Sequence, residues 1–504
     1  MKSVLGIDLG TQSLKVVCYD YENRVVAASA SAPLEVRRDE RGTAEQEADW
    51  WLAALKAALG KIPAAVLASA EAVAVSGQQH GFVAVDSDGA VLAPVKLWCD
   101  TSTQAEADEI MAAVGGRDRC IELAGNPVLV GYTASKIRWF RKHRPERYRK
   151  MAQVLLPHDF LNFVLTGKWV MEYGDASGTG LFDVRARRWC PELLQAVDPA
   201  LDLADRLPPL VGPDTIIGEV TTACSREYGI PAGIPVAPGG GDNMMAAIGT
   251  GNVSPGRLTM SLGTSGTLFA SAAAPVVDPD GNIAAFCSST GGWLPLLCTM
   301  NCTFSTELMR TLLDVGTDRF DEVIGGVPAG SDGLLVLPFF SGERTPNLPR
   351  ASASILGLRA HNCTRGHLLR ATAEGATFGL RFGLDELRRL GLEASGIVLT
   401  GGGANSNAWC QIVADVCRLP VTLLEQDEGA SYGAALQALW LLERRDDPSV
   451  AIAVVTERHL SPRPAASREP IGENADRYVD AYAAWRRAVD NTAIQTTELT
   501  EQSQ

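Results

Sequence analysis

Short apolar runs broken by glycine and polar turns open the chain. "SVLGID" (3–8), "LKVVCYD" (14–20) and "NRVVAASA" (23–30) are separated by "LGTQS" and "YEN", and this pattern predicts three strands joined by tight turns. "EADWWLAALKAALGKI" (47–62) then repeats apolar residues at helical spacing. "EAVAVSGQ" (71–78) has the pattern of a buried strand ending in a glycine turn. Helical and strand periods alternate from there on, which predicts an α/β layered architecture. "GLLVLPFF" (333–340) is a core-strand pattern, and "ADRYVDAYAAWRRAV" (475–489) is a closing amphipathic helix. The final "NTAIQTTELTEQSQ" has no apolar periodicity, so a disordered tail is expected over 486–504.

The pattern also repeats. "LGIDLGTQS" (5–13) and "LTMSLGTS" (258–265) are each an apolar strand running into Leu-Gly-Thr, and Leu9 matches Leu262. "VAVSGQQHGF" (73–82) and "IVLTGGGANS" (397–406) are each an apolar strand entering a Gly-rich turn. "GGDNMMAAIGTG" and "EGASYGAALQAL" each lead into a small-residue helix. The three pairs keep the same order, which predicts two halves of like fold facing each other across a ligand cleft. The seam falls in "TGNVSPG" (250–256), so the expected domains are 1–250 and 251–485.

Composition narrows the function. The chain has 504 residues, 46% hydrophobic and 21% charged, which is ordinary for a globular protein of two to four domains. A formal net charge of −14 argues against nucleic acid as a partner. Eleven scattered cysteines without Cys-x-x-Cys predict reduced, mostly buried thiols and no zinc site. The first apolar run stops at Asp8, too early for a secretory signal. No run approaches the ~20 apolar residues of a membrane span, so a cytoplasmic protein without a membrane partner is expected.

Familiar catalytic motifs are missing: no G-x-x-x-x-G-K-[ST] and no G-x-G-x-x-G after a strand. What remains is a set of Gly/Thr/Ser turns. "DLGTQS" and "SLGTSG" are either plain hairpin turns or backbone cradles for phosphate oxygens. Asp8 lies in the first and Ser261 takes its place in the second. A carboxylate beside bound phosphate needs a cation between them, so Asp8 suits a Mg2+ ion held through water. "TGGGANSN" (400–407) is either an αβ turn capped by Asn405 or Ser406, or a surface on which a base or ribose lies. In "PGGGDNMMAAIG" (238–249) three glycines precede Asp242. That acid either caps the following helix or faces a bound molecule.

Taken together, "GIDLGTQSLKVVCYD", "SGQQHGF", Leu97-Trp98-x-Asp100, "GYTASKIRWFRKH", "DASGTGLFD", "GGGDN", "SLGTSG", "SGERTP" and "TGGGANSNAWCQIVADV" resemble the FGGY family of carbohydrate kinases, in the family's order and over roughly residues 2–485. "GYTASKIRWFRKH" resembles the first family signature, with Lys136 and Trp139 in place; "ILGLRAHNCTRGHLLRATAEG" fits the second more loosely. The resemblance implies two actin-like (ribonuclease H-like) domains around a catalytic cleft, ATP and Mg2+ as cofactors, and a homodimer. It gives Asp242 the catalytic-base position. It implies that Gly10, Thr11, Gln12 and Ser13, with Gly263, Thr264 and Ser265, hold the ATP phosphates. Gly401, Gly402, Gly403 and Asn405 then flank adenosine. The "QQHG" turn resembles that of members acting on D-xylulose, with Gln79 and His80 on the sugar, joined by Asp100, Asn243 and Trp98, the last either a pocket wall or a core residue. Lys15 is either a phosphate contact or a solvated strand residue. Where many members have Trp-x-Asp-x-Arg, Ser102 stands here in the arginine's place. The rival readings are a kinase for D-ribulose, L-ribulose or gluconate, and an actin-like ATPase with no sugar substrate.

Overall fold

The computed structural model describes residues 1–200, 203–426 and 429–501, with side chains as far as Thr492. The three opening runs form β1 (Ser3–Leu9), β2 (Ser13–Asp20) and β3 (Val25–Pro33), an antiparallel meander. β4 (Ala70–Gly77) returns parallel to β1. β5 (Gly218–Glu219), β6 (Pro235–Val236) and β7 (Gly240–Gly241) complete a seven-stranded sheet, with β6 and β7 both parallel to β4. The central strands are apolar almost without break because both faces are covered. Leu5, Ile7, Leu9, Val73 and Val75 are buried with Trp51, Leu55 and Ala58 of helix α1 (Ala48–Leu59).

A second sheet repeats this arrangement. β8 (Arg257–Leu262), β9 (Gly266–Ala270) and β10 (Leu296–Thr299) are an antiparallel meander. β11 (Gly396–Thr400) and β12 (Val421–Thr422) add in parallel beyond β8. The order β3-β2-β1-β4-β6 is therefore matched by β10-β9-β8-β11-β12. Leu9 and Leu262 end equivalent strands, as the Leu-Gly-Thr repeat predicts.

The remaining helices used below are α2 (Thr133–His143), α3 (Pro157–Thr166), α4 (Asp242–Gly249), α5 (Asn407–Cys417), α6 (Gly429–Asp446) and α7 (Gly472–Glu501). Chain contacts define two units, Met1–Ser254 with Ser271–Leu294 and Glu428–Leu460, and Pro255–Ala270 with Pro295–Asp427 and Ser461–Gln504. The sequence reading divides the chain once, near residue 250; the structure interleaves the segments. The reason is visible in α6, which packs on β1, β4 and α4 of the first unit. A Cβ on Gly433 would stand 1.8 Å from the Met245 carbonyl oxygen of α4, so only glycine permits this approach.

The segment expected to be disordered, 486–504, is helical as far as Glu501, and 502–504 lie outside the described residues. Trp485 and Val489 are buried, so the helix is anchored ahead of its polar end. Extending an existing helix costs far less than nucleating one.

Candidate active site

β1, β4 and β7 run parallel and bring their carboxyl ends together. Ser76 of β4 lies opposite Asp8 on one side and Gly240 on the other. Asp8 and the residue two before Asp242 are thus two strand spacings apart, roughly 10 Å. The end of a parallel sheet is where such folds present ligand-binding groups. Asp8 accepts from Ser76 Oγ at 2.7 Å and faces Lys15 across the β1–β2 pair. Burial raises its pKa, opposed by the Ser76 bond and the Lys15 charge.

Asp242 is the first residue of α4; the N-cap is Gly241, so the helix-cap reading of Asp242 is corrected. Its Oδ1 accepts from the backbone N of Asn243 at 2.8 Å and from Asn243 Nδ2 at 3.0 Å. Burial and the charge of Asp8, with a smaller contribution from Asp175, push the carboxyl up to about 7. The helix terminus alone would favour a permanent anion. Desolvation and like charge outweigh it here.

Asn243 Nδ2 also donates to Gln79 Oε1 at 3.0 Å, which joins Asp242 to the QQHG turn. Buried Gln79 has no partner for Nε2. A buried amide donor left open is the kind of group a sugar hydroxyl satisfies. His80 sits at φ 63°, a left-handed conformation, with its ring tilted against Tyr132 and 4.7 Å from it. Its carbonyl accepts from Lys136 Nζ at 2.6 Å and from Thr133 Oγ1 at 3.2 Å. Lys136 also donates to the Gly131 carbonyl at 2.6 Å and is fully buried, which pulls its pKa down to about 7. The signature lysine thus pins the strained turn that carries the predicted sugar contacts.

In the turn after β1, Thr11 Oγ1 donates to Gln78 Oε1 and accepts from Trp98 Nε1, both at 3.0 Å. Its hydroxyl links the turn to Trp98, leaving exposed Gln12 and half-buried Gly10 and Ser13 to face outward. Asp100, expected among the sugar contacts, is fully buried with its acceptors taken by protein donors. Oδ2 accepts from the Ala44 backbone N at 2.8 Å and from Lys96 Nζ at 3.0 Å. Oδ1 accepts from Ser102 backbone N at 3.0 Å and from Ser102 Oγ at 2.5 Å. Lys96 and Ser102 together pair both carboxylate oxygens of Asp100.

The other predicted nucleotide residues lie in the second unit and are brought together there. Gly401, at φ 88°, leaves room for the Leu262 carbonyl, which stands 2.8 Å from where a Cβ would be. The Gly401–Asn405 turn therefore packs on the Gly263–Ser265 turn. Ser406, not Asn405, caps α5, accepting from the Trp409 backbone N at 3.1 Å.

One cluster escaped the sequence reading. His158 is fully buried, with Nδ1 2.8 Å from Asp175 Oδ2 and Nε2 3.0 Å from Asp159 Oδ1. Burial opposes its charge, but Asp159 and Asp175 carry its pKa up to about 9. Glu172 accepts from the backbone N of Gly174 and Asp175 at 2.7 and 2.6 Å. Asp175 belongs to the "DASGTGLFD" stretch, but nothing in the spacing of "LLPHDF" signals that His158 meets it.

Comparison with known proteins follows this geometry. Residues 3–249 match the N-terminal domain of the FGGY family of carbohydrate kinases, and residues 258–442 match its C-terminal domain. Xylulose kinase of Haemophilus influenzae is 42% identical over 443 residues, 86% of this chain and 90% of that protein. Xylulose kinase of Streptomyces coelicolor is 39% identical over 453 residues, 89% of this chain and 90% of that protein. The crystal structure of a xyloylose kinase from Brucella ovis superimposes with a TM-score of 0.90 at 29% identity, covering 98% of this chain and all of that one. Two family domains in order, relatives aligned over most of their length and a repeated sheet of matching topology lead to one conclusion: the chain belongs to the FGGY family of carbohydrate kinases and has its two-domain, actin-like fold.

Proposed function

We propose that this ATP-dependent sugar kinase phosphorylates D-xylulose to D-xylulose 5-phosphate, with Asp242 as general base. A sugar hydroxyl attacks poorly until its proton has an acceptor. A carboxyl whose pKa lies near 7 is well matched to take it at neutral pH. The observation that carries the reading is the chain of contacts from Asp242 through Asn243 to Gln79, which ties the base to the turn expected to bind sugar. The relatives' xylulose specificity supports the same substrate.

Asp242 accepts the hydroxyl proton as the oxygen attacks the γ-phosphoryl group. Gln79 Nε2 and His80 orient the ketose, and Trp98 walls the site. The turns at 10–13, 263–265 and 401–405 serve the nucleotide. Asp8 and Asp242 repel one another, and Asp8 offers a hard oxygen beside the phosphate turn, a donor set that fits Mg2+. Bound there, Mg2+ supplies charge neutralisation for the transferring phosphoryl group. Among the described residues no helix is long and apolar enough to cross a membrane. We place the enzyme in the cytoplasm and as a homodimer on the family expectation.

ADP release from Mg·ATP, measured with D-xylulose, D-ribulose, L-ribulose, gluconate and no sugar, tests the assignment. Release dependent on D-xylulose is expected. Preference for another sugar overturns the substrate, and release independent of every sugar overturns the kinase mechanism.

A further inference from the structure

The glycines ahead of the base have no side chains by which packing holds them. Two buried amides hold their backbone instead. Asn162 of α3 donates Nδ2 to the Pro238 carbonyl at 2.8 Å. Gln437 of α6 takes both polar groups of Gly239. The Gly239 N donates to Gln437 Oε1 at 2.9 Å, and Gln437 Nε2 donates to the Gly239 carbonyl and to the Ser289 carbonyl, each at 3.3 Å.

This is the pairing a neighbouring strand would provide. Among the described residues β7 has a strand partner on one side only, β4. Gly239 is itself fixed at φ 72°, and a Cβ there would stand 1.9 Å from the Val75 carbonyl oxygen. Gln437 is fully buried, and the other buried residues of α6 are alanines, leucines, Gly433, Ser431, Tyr432 and Trp440. A buried amide is costly unless all its groups are paired, and this one is paired only to the loop that ends in Asp242 and to Ser289.

We infer that Gln437 is a positioning residue for phosphoryl transfer: it clasps Gly239 and so sets where the Asp242 carboxylate stands against Asn243 and Gln79. The inference rests on Asp242 being the base. His80 is held by Lys136 and Thr133, contacts that do not involve Gln437, so loss of the clasp displaces the base without dismantling that turn. A displacement near 1 Å is enough to cost on the order of a hundredfold in rate.

Gln437→Met keeps length and bulk and removes all three hydrogen bonds. In the folded variant, with Mg·ATP and D-xylulose, kcat is expected to fall by about tenfold or more, while KM for the sugar changes by less than about threefold. If the methionine variant does not fold, Gln437→Glu replaces it; it keeps the acceptor for Gly239 N, loses the donor, and is expected to show the same kcat-selective loss. A folded variant with kcat within about twofold of wild type overturns the inference, as does a rise in KM with kcat unchanged. Asp242→Asn is assayed alongside. If that variant is inactive and Gln437→Met is not impaired, the clasp alone fails; if Asp242→Asn turns over normally, the base assignment fails.

Discussion

Asp242 carries an unusual combination: a carboxyl at a helix N-terminus whose pKa is nevertheless pushed up to about 7. Two outcomes follow. The base acts ionised, so log kcat/KM for the sugar should fall with a slope near one as pH drops below its pKa. A cation at Asp8 removes the largest repulsive charge, so the apparent pKa in the assay should lie at or below about 7. A profile flat from pH 5 to 8 would contradict this. The second outcome concerns stability. A carboxyl with a raised folded-state pKa is free of penalty below its unfolded value and carries the full penalty once pH exceeds the folded value. A rise from the ordinary carboxylate range to about 7 corresponds to roughly a few kcal/mol. Metal-free Asp242→Asn should therefore have a higher Tm than wild type at pH 8, with the difference shrinking toward pH 4; equal Tm values at pH 8 would refute the burial penalty. The residue was legible in the sequence because glycines isolate it. Its proton affinity was not, because Asp8 and Asp175 approach it only in the fold.

At the scale of elements, hairpins and buried strands follow directly from the period of the apolar residues, since each has a local cause. Contacts that depend on a helix docking from far along the chain do not. Asp100 is a local case: its sequence neighbourhood suits a sugar contact, yet Lys96, four residues earlier and on a strand, pairs with it. Lys136 is the reverse case, a signature residue whose task appears only when α2 meets the His80 turn. Replacing it by methionine leaves the buried Gly131 carbonyl without its Lys136 donor and the His80 carbonyl with Thr133 Oγ1 alone. A buried acceptor left open costs about 1–3 kcal/mol. Lys136→Met should accordingly lower stability by roughly 1–3 kcal/mol in denaturant unfolding and raise KM for the sugar more than it lowers kcat; unchanged KM would separate Lys136 from the His80 turn.

For the molecule as a whole, the Leu-Gly-Thr repeat correctly implied two similar sheets, because equivalent strands ending in equivalent turns leave the same short signature. The interleaving of the two units left none. α6 follows the second sheet in the chain and packs on the first, and only the glycines at its contact with α4 hint at that destination. Gln437 of α6, which holds Gly239, lies 198 residues from it along the chain.

The account stands or falls on Asp242 as the proton acceptor. The direct test is the turnover of Asp242→Asn with Mg·ATP and D-xylulose, beside wild type, with sugar binding measured separately by intrinsic fluorescence. A loss of kcat of about a hundredfold to ten-thousandfold with sugar affinity retained is the predicted result. Turnover within about tenfold of wild type would show that the hydroxyl proton leaves by another route.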